Sequence, residues 1–422
     1  MKLFAPKLFT AFKGYQPKDY ISDVVAGVIV AIIALPLSIA LAIASGAAPE
    51  TGLFTAIIAG FFTALLGGSK VNITGPTAAF ATIVAQIILT QGMDGLFLAT
   101  IMAGLLLVIM GLLRVGTLIK YIPHTITVGF TAGIAVTLAI GQLKDFLGLT
   151  YPDGATAIET IEKLSLLFEN VSTFNPWAFA IGILGLAVLI VWGKVSKKIP
   201  ASLIAVLVGS LICLIPAINA NTIGSLYTIS SALPTFRFPE VTVERIFALL
   251  PNAFTIALLA GIESLLSCVV SDKMVNDKHN SNTELIALGV SNVLVGCFGG
   301  IPATGAIART AANVKNGGKS PLSGMVHAVV LLLVLVLLMP LASYIPMPII
   351  AAILFIVAYN MSEWREFVAI VKKKQWNDIL VLVLTFALTV VFDLVKAIAV
   401  GLAVHYAIVL ARSIIEKRKK AE

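Results

Sequence analysis

Two stretches of this sequence are built to hold a small charged molecule. The first is Val71-Asn-Ile-Thr74-Gly75-Pro76-Thr77-Ala78-Ala79-Phe80. The second is Ile301-Pro-Ala-Thr304-Gly305-Ala306-Ile307-Ala308-Arg309-Thr310. Each reads as an irregular or β-prone link, then Thr-Gly, then a small-residue helix. A helix that starts near mid-membrane leaves free N–H groups and the positive end of its dipole in a low-dielectric place. Two such starts facing each other form an anion site. Pro76 suits a first helical turn because it has no N–H to lose. Thr74 and Thr304 are expected as N-caps. Gly75, Gly305 and Ala306 are expected to let an anion approach the backbone.

Two charged residues stand inside otherwise apolar segments, where an ionisable group is expensive and functional by default. Arg309 either attracts the anion or donates to backbone carbonyls as a structural group. Glu263 lies in Ala260-Gly-Ile-Glu263-Ser264-Leu-Leu-Ser267. It either carries a coupling proton or is locked to a neighbouring helix. Low dielectric disfavours a charged carboxyl, which suits a proton carrier. Ser267, one turn on, could bond Glu263 or help hold a cation. Ser38 follows Pro36 and could reach a substrate or bond one turn back. His327 reads as a packed, hydrogen-bonded histidine. Asp393 and Lys396 are expected to pair. The four histidines are scattered, so neither a metal nor a cofactor is expected. The three cysteines sit singly in apolar stretches as packing residues. Gly317-Gly318-Lys319-Ser320 resembles the end of a phosphate loop, but no strand or first glycine precedes it.

The elements that carry these residues follow from composition. The 422 residues are 59% hydrophobic and 12% charged. A soluble domain carries about 25% charge, so an ordinary cytosolic enzyme is excluded. A membrane-embedded enzyme would need paired polar residues near one face, and no such cluster is visible. Charge-free stretches, divided at Pro216 and at Tyr344-Ile-Pro-Met-Pro348, give fourteen hydrophobic segments, some shorter than the ~20 residues of a full span. The formal charge of +8 sits in short loops and at both termini. The positive-inside rule explains it without nucleic acid. Both termini are therefore expected in the cytoplasm, with the chain in the inner membrane and the bilayer as its partner. Lys372-Lys373-Lys374, after segment twelve, falls on the same side.

An internal repeat supports that count. Gly52 to Gly68 and Glu284 to Gly300 are both 17 residues long and end in Gly-Gly, and each leads into one Thr-Gly link. With seven segments per half, the halves are inverted. Short interrupted segments in matching positions mark a transporter's substrate site.

These residues resemble the sulfate permease (SulP) family of anion transporters. The resemblance rests on Ala34-Leu35-Pro36, on Gly67-Gly68-Ser69 through Ala78, and on the block from Glu263 through Asn282-Thr-Glu284-Leu, Phe298-Gly-Gly-Ile-Pro302 and Ala308-Arg309-Thr310-Ala-Ala-Asn313 to Gly317-Gly318. Lys144-Asp145-Phe-Leu-Gly and Asn360-Met-Ser-Glu363 look closest to a bacterial branch that includes a C4-dicarboxylate carrier. The resemblance implies an all-α polytopic fold of fourteen segments in a 7+7 inverted repeat, like that of nucleobase transporters. It implies a core of residues 21–113 and 247–340 and a gate of 114–246 and 341–413. An arm of residues 1–20 and a tail of 414–422 would be cytoplasmic. It places substrate at Leu37, Ser38 and Leu41, at Thr77 and Ala78, and at Gly305, Ala306, Ala308 and Arg309. Sodium-dependent bicarbonate members have an aspartate where this chain has Glu263 and a threonine where it has Ile307. That difference favours proton over sodium coupling. A sodium-coupled bicarbonate symporter and an uncoupled exchanger or channel stay open as alternatives, and a homodimer is implied. Family members usually carry a STAS domain after the last span. This sequence ends at Glu422, so none is expected.

Overall fold

The computed structural model describes residues 4–12, 14–117, 123–152, 155, 157, 159–196, 199–392 and 394–419; the side chains of 394, 395 and 412–419 are outside the description. Asp393, the expected partner of Lys396, lies outside the described residues.

The regular structure of the described residues is helical apart from two short strands. The helices are α1 (Leu8–Ala11), α2 (Pro17–Ala44), α3 (Pro49–Leu66), α4 (Ala81–Leu112), α5 (His124–Leu147), α6 (Thr160–Glu169), α7 (Pro176–Val195), α8 (Ala201–Cys213), α9 (Ile223–Leu226), α10 (Val243–Val275), α11 (Ser281–Cys297), α12 (Ile307–Lys315), α13 (Pro321–Leu338), α14 (Met347–Met361), α15 (Trp364–Lys372), α16 (Trp376–Val391) and α17 (Leu394–Lys419). Gly92, at φ +70° and ψ −178°, breaks α4 into two segments. Counting α4 twice and setting aside the short α1, α6, α9 and α15 gives the fourteen segments in order. Among the described residues, eight helical stretches are long and apolar enough to cross a membrane.

Local sequence sets the helix starts. Pro17, Pro49, Pro176 and Pro321 occupy first turns, where a missing N–H costs nothing. The Asn175 side chain accepts from Trp177 and Ala178 N–H, and the Asn280 side chain accepts from Asn282 and Thr283 N–H.

The chain forms two compact units. Unit 1 holds Met1–Ile119, Asp145–Gly148 and Phe174–Ile353. Its helices pack through small residues, as lipid-embedded helices do. A Cβ on Gly104 would sit 2.6 Å from the Gly289 carbonyl, and one on Gly289 would sit 2.5 Å from the Gly104 carbonyl. The α4 and α11 backbones therefore touch, and alanine at either position would push them apart. Unit 2 holds Lys120–Lys144, Leu149–Thr173 and Leu354–Glu422. Val128, Ile370 and Leu382 form a small core there, with Phe367 packed against it.

Candidate anion-binding site

Both interrupted segments lie in unit 1. After α3 the chain extends into β1 (Thr74–Gly75), turns at Pro76 and Thr77, and enters a 3-10 turn at Ala78–Phe80 that runs on into α4. After α11 it passes into β2 (Thr304–Gly305) and then α12. The strands pair antiparallel, Thr74 opposite Gly305 and Gly75 opposite Thr304. Ala306 N–H donates to the Ile73 carbonyl at 2.9 Å. The two Thr-Gly links of the repeat thus bind each other.

That pairing moves the helix starts. Thr74 and Thr304, expected as N-caps, are strand residues, and the Thr304 hydroxyl donates to the Ala260 carbonyl at 2.8 Å. Thr77 caps the first half-helix, its hydroxyl accepting from Ala79 N–H at 3.4 Å. Ala306 occupies the N-cap of α12, where no side chain caps the first turn. The glycine expectation also changes. A Cβ on Gly75 would sit 2.4 Å from Arg309 Nη1, and one on Gly305 would sit 2.6 Å from Asn72 Nδ2. These glycines make room for side chains of the opposite repeat.

Arg309 is 2% exposed, and its Nη2 donates to the Pro76 carbonyl at 2.5 Å. Its Nε and Nη1 have no partner among the described residues. One nitrogen therefore holds the other half-helix, and two N–H-bearing nitrogens remain for an acceptor. Glu263 is buried, and the Thr77 hydroxyl and the Arg309 guanidinium act on its carboxyl. The fold thus gathers Thr77, Glu263 and Arg309. Thr77 and Ala306 are half-buried, and Ile307 and Ala308 are exposed, whereas Ala78 and Gly305 are buried. Leu37 is half-buried, and Ser38 and Leu41 are buried, on α2, which packs against α12. The Ser38 hydroxyl has no partner among the described residues.

Ser267 does not pair with Glu263. Its hydroxyl donates to Asn72 Oδ1 at 2.7 Å and lies 3.0 Å from the Thr310 hydroxyl. It belongs to a polar cluster behind the crossing that the sequence reading missed. Asn72 is its hub, because its amide fills both donor and acceptor sides. Its Nδ2 donates to Glu284 Oε1 at 2.7 Å and to Ser264 Oγ at 3.3 Å, and Oδ1 accepts from Ser267 and from Thr310 at 3.0 Å. Glu284 is fully buried, and its other oxygen accepts from Gly68 N–H at 2.8 Å and Ser69 N–H at 3.1 Å. Thr310 and Asn313 hold the first link through Ile73 N–H and the Val71 carbonyl. Thr55 and Asn292 hold the second through Ile301 and Ala303. The available signal was a polar residue inside an apolar span.

His327 departs from expectation as well. It is fully buried, yet neither ring nitrogen has a partner among the described residues. Elsewhere in unit 1, buried Asp23 accepts from Tyr15 Oη at 2.5 Å, from Lys319 N–H at 2.7 Å, and from both Ser320 N–H and the Ser320 hydroxyl. This is the role of the Gly317–Ser320 turn: it is held by a carboxylate. Among the described residues no group of three His, Cys, Asp or Glu is placed to hold a metal ion.

Comparison with known proteins agrees with this architecture. The model of the Sulfate permease family matches residues 20–385. The putative sulfate transporter YvdB of Bacillus subtilis (strain 168) is 44% identical over 95% of this chain and 76% of its own length. The bicarbonate transporter BicA of Picosynechococcus sp. (strain ATCC 27264 / PCC 7002 / PR-6) is 32% identical over 92% of this chain and 70% of its own. Among solved structures, the transmembrane domain of a cyanobacterium bicarbonate transporter BicA superposes with a TM-score of 0.82 at 30% identity, covering 91% of this chain and 98% of that one. Murine Solute Carrier 26 family member A9 shares the fold, with a TM-score of 0.87 at 18% identity over 97% of this chain and 71% of that one. With its two Thr-Gly links paired, a buried arginine tying one to the other and this match over most of its length, the chain belongs to the sulfate permease family of anion transporters.

Proposed function

We propose that this protein is a secondary active transporter of a small anion, sulfate, bicarbonate or a C4-dicarboxylate, by proton-coupled symport. The observation that carries the reading is Arg309: a buried guanidinium with two nitrogens unpartnered among the described residues, beside the uncapped first turn of α12. A dianion or carboxylate there would gain charge-assisted hydrogen bonds and the helix-end field together. Glu263, close to Thr77 and Arg309, supplies the proton-binding group. Its neighbour Arg309 links the two charges: the anion and the Glu263 carboxylate compete for one guanidinium, so protonating Glu263 frees Arg309 for the substrate. That exchange couples the proton to the anion in one site.

Binding of the anion then involves Thr77, Ala78, Gly305, Ala306 and Ala308, with the Ser38 hydroxyl contributed from α2. Residues 21–113 and 247–340 would move as a core against a gate of 114–246 and 341–413 in an inner membrane, with both termini cytoplasmic and two copies associating. YvdB and BicA carry sulfate and bicarbonate in their names, and both anions suit this donor set.

The test is uptake of labelled sulfate, bicarbonate and succinate into sodium-free proteoliposomes, with and without an inward proton gradient. One anion should accumulate above equilibrium only with the gradient. Glu263→Gln should abolish that accumulation and spare anion exchange. Proton-driven accumulation by Glu263→Gln would remove Glu263 from the coupling step, and equilibration without accumulation by the parent protein would make it an exchanger or channel.

A further inference from the structure

Within unit 2, α15 is set apart from its neighbours by two non-glycine residues in the left-handed region, Glu363 at φ +45° and Lys374 at φ +54°. The chain therefore turns sharply at both ends of a nine-residue helix. At 100° per residue the faces of that helix separate. Ile370 is buried and Phe367 packs with it against Val128 and Leu382. Arg365 and Lys372 project on the opposite side, both exposed. On one flank between these faces lie Trp364, Val368 and Val371, spaced i, i+4, i+7 and all exposed. Glu366 lies on the other flank, away from that apolar stripe. The Arg365 guanidinium sits 5.7 Å from the Trp364 ring centre. Beyond the helix, Lys373 and Lys374 are exposed, and Trp376 is 81% exposed.

An apolar stripe bordered by cations, with a tryptophan at each end, is the arrangement of a helix lying in the headgroup layer. The stripe alone would accept any lipid. The charge is selective: Arg365, Lys372, Lys373 and Lys374 border the stripe, whereas Glu366 faces away from it. Phosphate oxygens of an uncharged-overall lipid arrive with a cationic choline or ammonium attached, which these four side chains repel. A headgroup with net negative charge brings the same phosphate without that penalty.

We propose that α15 and the Lys372–Lys374 turn form a binding site for an anionic phospholipid, the lysines and Arg365 holding the phosphate and Trp364, Val368 and Val371 meeting the acyl chains. The site stands on unit 2 alone and is independent of the coupling ion and the transported anion. It makes the lipid a ligand of the α14–α16 connection.

The test uses the full chain in nanodiscs, carrying Trp177→Phe and Trp192→Phe so that Trp364 and Trp376 are the two remaining fluorophores of four tryptophans. Brominated phosphatidylglycerol, as a minor component in phosphatidylcholine, should quench their emission at least roughly threefold more than brominated phosphatidylcholine at the same fraction, a preference within reach of three lysines at a membrane surface. Lys372→Gln, Lys373→Gln and Lys374→Gln together should bring the two lipids to equality, and the matching triple arginine variant should keep the preference. Equal quenching in the parent protein, quenching by neither lipid, or a preference that survives the triple glutamine variant would each overturn the proposal.

Discussion

The two sides of the β1–β2 crossing differ sharply. On the buried side, Asn72, Glu284, Ser267 and Thr310 satisfy one another and the backbone of Gly68, Ser69 and Ile73. On the other side, Arg309 has two nitrogens without a partner among the described residues, and α12 begins without a side-chain cap. Behind the strand pair the Asn72 amide is thus bonded on both its donor and acceptor sides, while the Arg309 guanidinium in front is not. A satisfied buried network rigidifies and specifies a single arrangement. On the proposed reading, the unsatisfied cation at the helix start is the anion's binding group, held ready by that rigid back. Changes behind should cost stability, and changes in front should cost affinity.

The largest effect expected behind the crossing is that of Glu284→Ala. It strips an acceptor from Gly68 N–H, Ser69 N–H and Asn72 Nδ2 at once. At roughly 1–3 kcal/mol for each buried group left unpaired, a loss of several kcal/mol follows. Thermal unfolding in detergent should show it, and a variant as stable as the parent would break the distinction between the two sides. Thr77→Ala removes the cap of the first half-helix and should cost about 1 kcal/mol by the same assay, in addition to the affinity lost at the front. It sharpens the comparison, since α12 has no such cap to lose.

The smallest expected effect lies outside the crossing, at the N-terminal arm. Lys7 Nζ lies 2.9 Å and Lys70 Nζ 3.2 Å from Asp277 Oδ2. Burial pushes the Asp277 carboxyl up, but hydrogen bonds from Lys7, the Lys278 backbone and Lys70 outweigh it and hold the group below its ordinary 3.8. A depressed carboxylate stabilises the fold above its unfolded value, and that contribution is lost as pH falls through the lower folded value. Asp277→Asn should therefore cost less than about 1 kcal/mol at neutral pH, the range of a solvated pair. The difference from the parent should shrink as the pH falls below 3.8 and vanish once it is below the lowered folded value. A difference that persists in acid would assign the effect to packing.

Much of this arrangement is legible in the sequence, because its signals are periodic or repeated. The Gly-Gly and Thr-Gly links recur about 230 residues apart, and they are the segments that cross. Glu263 and Arg309 stand out as charges in apolar runs, and the fold places them together. The cap assignment failed for a physical reason. The Thr-Gly links pair through their backbones, so each helix starts only after that pairing ends, at Thr77 and Ala306. Glu284 escaped because it borders the charge-free stretch 285–308 and reads as a flank, while the helix carries it fully inside. Asn72 and Thr310 are uncharged, and only the tertiary crossing reveals that one amide joins four partners. His327 shows the reverse error: burial was legible, but a hydrogen-bond partner cannot be read from a single helix.

The central claim is that Arg309 is the anion's binding group on a rigid support. The direct measurement is calorimetric titration of sulfate, bicarbonate and succinate into the purified parent protein and into Arg309→Ala, with thermal unfolding followed in parallel. Truncating one partner of a buried charged pair costs about 2–5 kcal/mol, so affinity should fall from roughly thirtyfold to beyond a thousandfold. Saturable binding of one anion by the parent, absent in a folded Arg309→Ala, is the predicted result. Unchanged affinity in Arg309→Ala would contradict the account and leave Arg309 as a structural tie to Pro76.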